Sequence, residues 1–153
     1  MELLDSIGNV DTKATAKEVS RFFRRTIPVL LRMYGGTMAS IQSPKFDGMP
    51  KSSYGNGTEN KLIKRLEKEL EAREVIADVR VAIERCSFES QQIIKMAMVE
   101  KKRDWQVCEA LKYSQSRYYD LKRIALNEFA DAFETRKHGQ DLHILEELTE
   151  KAE

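Results

Sequence analysis

The chain has 153 residues, 41% of them hydrophobic and 33% charged, which suffices for one cored domain or a small domain with a helical arm. A net charge of +1 excludes a global attraction to nucleic acid, so a partner of that kind has to be met by a local surface. There is no apolar run of membrane-spanning length and no signal-peptide pattern. Cys86 and Cys108 lie far apart in apolar helical patterns, so buried free thiols in a cytoplasmic protein are expected, not a disulfide or a zinc pair.

Most glycines and prolines fall between Gly35 and Gly57, which leaves long helices free to form on either side. From Asp11 or Thr12 the apolar residues Val19, Phe22, Phe23, Ile27, Leu30, Leu31 and Tyr34 recur at spacings of three and four, the mark of an amphipathic helix. Pro28 is expected to kink or restart it, and Gly35-Gly36 to stop it. Residues 43–58 read as a Gly/Pro-rich linker; its Phe46, Met49 and Tyr54 are candidates to seal the N-terminal helix, and Lys45 and Lys51 to touch phosphate.

Thr58 is placed to cap a helix running to about Arg85. It carries one stripe of Leu62, Leu66 and Leu70, then a rotated one of Ala72, Ile76, Val79 and Ile83. After Ser87 a short helix is expected to turn Phe88, Ile94, Ala97 and Met98 to one side and to end near Lys101–Arg103. Asp104 then reads as the cap of a helix from Trp105, and a last helix stops before Gly139. The tail DLHILEELTEKAE is expected either to form an amphipathic arm through Leu142, Leu145 and Leu148 or to fray. Nothing alternates with period two, so the expected fold is all-α, a helical bundle. The chain divides into an N-terminal helical segment (1–42), the linker (43–58), a long helix plus a further helical unit (59–137) and an acidic tail or short helix (138–153).

Charge is uneven along this layout. Residues 101–123 hold seven basic side chains, Lys101, Lys102, Arg103, Lys112, Arg117, Lys122 and Arg123, against three acidic ones, and an acidic tail follows. The same stretch contains a tight break at Lys112–Ser114 made without glycine or proline. Read as a helix-turn-helix over Asp104–Arg123, it puts Val107, Leu111, Tyr113, Tyr118 and Leu121 at the clamping positions and Cys108 where a small residue permits close approach. Ser114 caps the second helix, and Lys112 takes a left-handed conformation usually left to glycine. Gln115, Ser116, Arg117, Tyr119, Asp120 and Arg123 then face outward as candidate base readers, since Gln suits adenine and Arg guanine. Lys101, Lys102, Arg103, Ser114 and Lys122 are the candidate phosphate contacts.

The segments KFDGMPKSSYGNGTEN and ALKYSQSRYYDLKRIALNEFADAF together resemble the ArpU family of phage transcriptional regulators, and the second also resembles the helix-turn-helix of sigma-factor region 4. The resemblance spans roughly residues 12–135. It implies a DNA-binding regulator of phage or prophage late genes, an activator, recognising its site through Gln115, Ser116, Arg117 and Tyr119. It also implies host RNA polymerase as a further partner. A homodimer is expected because specific sites commonly pair two half-sites.

Other classes fit less well. No phosphate loop or serine elbow appears, the carboxylates mostly sit beside lysines, and His138 and His143 have no third ligand in spacing, so neither an enzyme nor a metal or cofactor site is expected. The alternative is a small-terminase-like DNA-packaging protein, although in those the DNA-binding unit usually precedes the oligomerisation helices. A module binding only protein through Trp105, Tyr118 and Tyr119 is a third reading, separable by the steep salt dependence of phosphate contacts.

Overall fold

The structure, a computed structural model, describes residues 10–42 and 59–145. The linker with Phe46, Met49, Tyr54, Lys45 and Lys51, the Thr58 cap and Leu148 all lie outside these residues.

Helix α1 (Thr12–Arg21) starts where the Asp11 carboxylate accepts the Ala14 N–H at 3.0 Å. It passes into one wider π-helical turn, Phe22–Thr26, closed by the Ile27 N–H on the Phe22 carbonyl. Helix α2 (Ile27–Tyr34) follows with Pro28 in its first turn. Proline has no N–H to give and its ring crowds the preceding turn, so the interruption expected at Pro28 takes the form of this widened turn. Two pairs of neighbours benefit from the wider turn: Phe22 and Phe23 are both buried, while Arg24 and Arg25 are both exposed. Gly35, at φ 75°, ends α2 as expected, and the Gly36 N–H bonds the Leu31 carbonyl at 2.9 Å. A short α3 (Ala39–Gln42) closes this segment.

Helix α4 (Glu59–Glu84) is buried only from Ala72 onward, through Ile76, Val79, Ala82 and Ile83, matching the second expected stripe. The first stripe stays outside the core: Leu62 and Leu66 are half-buried and Leu70 is 57% exposed. The Arg73 guanidinium stacks over the Tyr34 ring at 4.7 Å, so α2 ends beside Arg73 and the earlier turns of α4 run past it.

Helix α5 (Phe88–Ile94) continues into a second π turn, Lys95–Val99, short of the expected end at Lys101–Arg103. Phe88 departs from expectation by being 73% exposed, while Ser90, Ile93 and Ile94 fill the inner face. The reason is polar: the Glu128 carboxylate accepts the Ser87 N–H at 2.8 Å and the Ser90 hydroxyl at 2.7 Å, which turns Ser90 inward and Phe88, two positions earlier, outward. Helices α6 (Asp104–Leu111) and α7 (Gln115–Glu134) complete the bundle. All regular structure among the described residues is helical, with one isolated antiparallel bridge, Val10 to Leu145.

A single core unites these elements. Phe22 and Phe23 from the first π turn meet Phe129 and Phe133 of α7, with ring centroids 4.9 Å apart for Phe23–Phe129 and 5.2 Å for Phe22–Phe133. The N-terminal segment therefore shares its core with α4 through α7. Cys86 is a buried free thiol bonded to the Ala82 carbonyl, its pKa pushed up to about 12 by burial and then by Glu128 and Asp131; Cys108 is free and half-buried. Past α7, Gly139 packs so closely that a Cβ there would sit 1.7 Å from the Phe133 carbonyl oxygen.

The described part of the tail is neither helical nor frayed. Leu142 is 2% exposed, whereas Leu145 is 62% exposed, and residues 141–144 are not helical, so the described part of the expected arm does not take that form. Backbone pairing takes its place: the Asp11 N–H donates to the Ile144 carbonyl at 2.8 Å, and the Ile144 N–H to the Thr15 hydroxyl at 3.0 Å. Thr15 is fully buried, so the tail supplies the partner its hydroxyl needs. His143 is 2.6 Å from Asp131 and 2.6 Å from Asp141, with Glu134 at 3.3 Å. Folding thus brings to His143 the carboxylates that sequence spacing did not reveal, and Glu134, Asp141 and His143 offer ligand atoms within 4.8 Å of one another.

Burial opposes protonation of His143, but Asp131 and Asp141 outweigh it, so its pKa lies above the ordinary 6.5. A raised folded-state pKa gives stability that is complete below the unfolded value and is lost as pH rises through the folded one. The urea midpoint should therefore fall as pH rises above the ordinary 6.5 of a histidine, and His143→Gln should flatten that slope. An equally steep decline in the variant would assign it to other groups.

Candidate nucleic-acid interface

The break between α6 and α7 rests on backbone geometry that the residue types do not favour. Lys112 sits at φ 60° and ψ 43°, the left-handed conformation expected of it. The Tyr113 N–H bonds the Cys108 carbonyl at 3.0 Å, closing the end of α6 as a glycine would. Ser114 then caps α7, its hydroxyl oxygen accepting the Arg117 N–H at 3.2 Å. Lys101, just before α6, also has a positive φ of 55°, so the two non-glycine residues in this region among those described are lysines flanking one short helix. Each conformation costs on the order of 1–2 kcal/mol and persists because the surroundings over-determine it.

Those surroundings centre on Asp104. It is the first residue of α6, not its cap: the cap position belongs to Arg103, whose N–H donates to Gln106 Oε1 at 2.9 Å. Gln106 can reach back three residues, which frees the Asp104 carboxylate to turn toward α7. There it accepts the Tyr118 hydroxyl at 2.9 Å, the Lys122 ammonium at 3.1 Å and, more weakly, the Tyr119 hydroxyl at 3.4 Å. Burial works against its ionisation, but the bonds from Lys122 and Tyr118 prevail, and its pKa lies below the usual carboxylate value. Tyr118 is fully buried, and burial together with Asp104 pushes its phenol well above the ordinary value, so it stays a proton donor. Val107 and Leu121 are buried at the clamp as expected, while Leu111, Tyr113 and Cys108 are half-buried against the core.

This clamp orients the residues expected to read bases. Gln115, Ser116, Arg117, Tyr119 and Asp120 are exposed on the first two turns of α7. Arg123 is half-exposed and pairs with Asp120 at 3.7 Å, so each occupies part of the other's hydrogen-bonding capacity. Among the expected phosphate contacts, Lys101, Lys102 and Arg103 are exposed on the loop before α6, and Lys102 pairs with Glu100 at 3.4 Å. Ser114 is exposed with its oxygen engaged in the cap. Lys122 is mostly structural in placement, since its ammonium bonds Asp104 and lies 5.7 Å from the Tyr118 ring centroid.

A basic face that the sequence reading passed over lies beside them. Between α1 and α7 runs an open groove of about 630 Å³ whose walls include Lys13, Lys17, Arg21, Arg24 and Arg25 on one side and Tyr119, Lys122 and Arg123 on the other. Arg24 and Lys122 also border an adjoining hollow with Lys101, so the groove continues to the loop before α6. The signal was present in the spacing: Lys13, Lys17, Arg21 and Arg25 recur every four residues, with Glu18 the sole acid between Thr12 and Tyr34. Averaging charge over residues 1–60 hid it, because acids elsewhere in that stretch cancel the sum.

Asp104→Ala should cost about 1–3 kcal/mol by leaving the Tyr118 hydroxyl buried without an acceptor. Tyr118→Phe in the same chain should recover part of that loss, and strict additivity in urea unfolding would rule out the coupling. Lys112→Gly should raise stability by about 0.5–1 kcal/mol through relief of the left-handed turn; a loss would show that lysine is not strained there.

No curated protein and no solved structure matches this chain. No helix among the described residues is long and apolar enough to cross a membrane. Over residues 55–130, just under half its length and reaching from before α4 well into α7, the chain matches the model of a family described as a protein of unknown function (DUF1492).

Proposed function

We propose that this chain is a sequence-specific double-stranded DNA-binding transcriptional regulator, non-enzymatic, with α7 as its reading helix. The observation that carries the reading is the start of α7: Gln115, Ser116 and Arg117 stand exposed behind a Ser114 cap, on a turn held by Asp104 and Tyr118. Side chains that read base edges have to be presented on a rigid element, and this arrangement gives them one. The helix-turn-helix of sigma region 4 type, and the resemblance to ArpU regulators, support phage or prophage late genes as targets and activation as the sign. On the same resemblance, host RNA polymerase is the second partner, met by helices upstream of Asp104. A homodimer would supply two half-sites.

Fluorescence anisotropy with duplex fragments tiled across the surrounding genome, at low and physiological salt, tests the reading. One fragment should stay bound at physiological salt and be lost when Gln115 and Arg117 are replaced by alanine, while residual binding to random duplex persists. Uniform binding abolished by salt would leave only a basic surface and defeat the claim of specificity.

A further inference from the structure

We infer that α1 is a second DNA-contacting element, a phosphate rail that runs alongside the reading helix and takes one strand's backbone in the groove between α1 and α7. This rests on the reading of α7 as the DNA-binding helix and extends the site to residues outside the 55–130 match.

Three observations support the rail. The first is charge without counter-charge: among the described residues, Lys13, Lys17, Arg21, Arg24 and Arg25 make no ion pair, and Glu18 is the one acid on the groove walls. Like charges four apart on a helix destabilise it by roughly 0.2–0.5 kcal/mol per pair, and α1 carries Lys13–Lys17 and Lys17–Arg21 in that relation, with Arg24 and Arg25 following in the π turn. An ordinary solvated face alternates sign, as the outer turns of α4 do with Arg65–Glu69.

The second is placement. The stripe from Lys13 to Arg21 is about 12 Å long at the helical rise, the span of about three to four phosphates of one strand along a duplex axis, and Arg24 and Arg25 extend it into the π turn. It is fixed against the reading helix by the aromatic packing at Phe22 and Phe23 and by the Asn127 side chain, which donates to the Thr12 carbonyl at 2.9 Å. A rail set at constant distance from α7 positions the duplex, which is what backbone contacts do for base readers.

The third is what borders the stripe across the groove. Lys122 and Arg123 of α7 line the opposite wall, each already paired with a carboxylate (Asp104 and Asp120), and the adjoining hollow leads to Lys101. Cations from three regions distant in sequence thus converge on one surface.

The test uses the full chain in four preparations, the wild type and three variants. Replacing Lys13, Lys17 and Arg21 together by alanine should weaken binding at least about tenfold, equally for the selected fragment and for random duplex, and should lower the salt slope by about 2–3. The urea midpoint should hold or rise, since alanine favours the helix and like charges are removed. A matched control replaces Lys61, Lys64 and Lys68, exposed on the outer half of α4, and should leave affinity and slope unchanged. Equal losses in both variants would reduce the effect to net charge and overturn the rail. Wild-type affinity and slope in the α1 variant, with specificity still lost on replacing Gln115 and Arg117, would overturn the rail and leave the reading of α7 standing. No duplex binding by the wild type would overturn both.

Discussion

The packing of Phe22 and Phe23 against Phe129 and Phe133 is the constraint on which the rest of the structure depends. Aromatic side chains bury large areas in few rotamers, so four of them in contact fix both distance and rotation between the helices that carry them. Here they join the first helical segment of the chain to the last long helix. The π turn serves that junction: its extra width lets two consecutive phenylalanines face inward while the next two residues, both arginines, face outward. One local change in winding thus sets the core and the charged face at the same time.

A second, polar constraint acts at the other end of α7. Asp104 is bonded to Tyr118 and Lys122 and more weakly to Tyr119, which ties the first residue of α6 to two turns of α7. Hydrogen bonds to a charged acceptor are stronger than neutral ones and directional, so they fix the orientation of α7 more tightly than apolar packing alone. The strained lysines at positions 101 and 112 are tolerated because this tie and the Ser114 cap over-determine the turn. Aromatic packing sets the far end of α7 and ionic bonding sets its near end.

Much of this was legible from residue order. The Gly35 stop, the left-handed Lys112, the Ser114 cap and the outward face of Gln115 to Asp120 all follow from local rules of periodicity and capping. The departures share one cause, a polar partner distant in sequence. Phe88 points out because Glu128, forty residues on, holds Ser90 inward; Asp104 leaves its cap because Tyr118 and Lys122 draw it away; the tail is extended because Asp11 and Thr15 bond it. Periodicity reports which face is apolar but carries no information about such pairings. The basic stripe on α1 was a failure of a different kind, since four-residue spacing was visible and averaging removed it.

The union of α1 with α7 also has a consequence for the order of synthesis. Roughly a hundred residues separate Phe23 from Phe129, so at about 5–20 residues per second the segment carrying Phe23 waits about 5–20 s for its aromatic partner to be made. Thr15 waits longer still, for Ile144. Helices α4 to α6 can form locally during that interval, but Phe22 and Phe23 lack their aromatic partners until α7 is complete. The first of the described helices to be made is thus among the last to find its place, and chaperone protection of the nascent chain would matter most over that span.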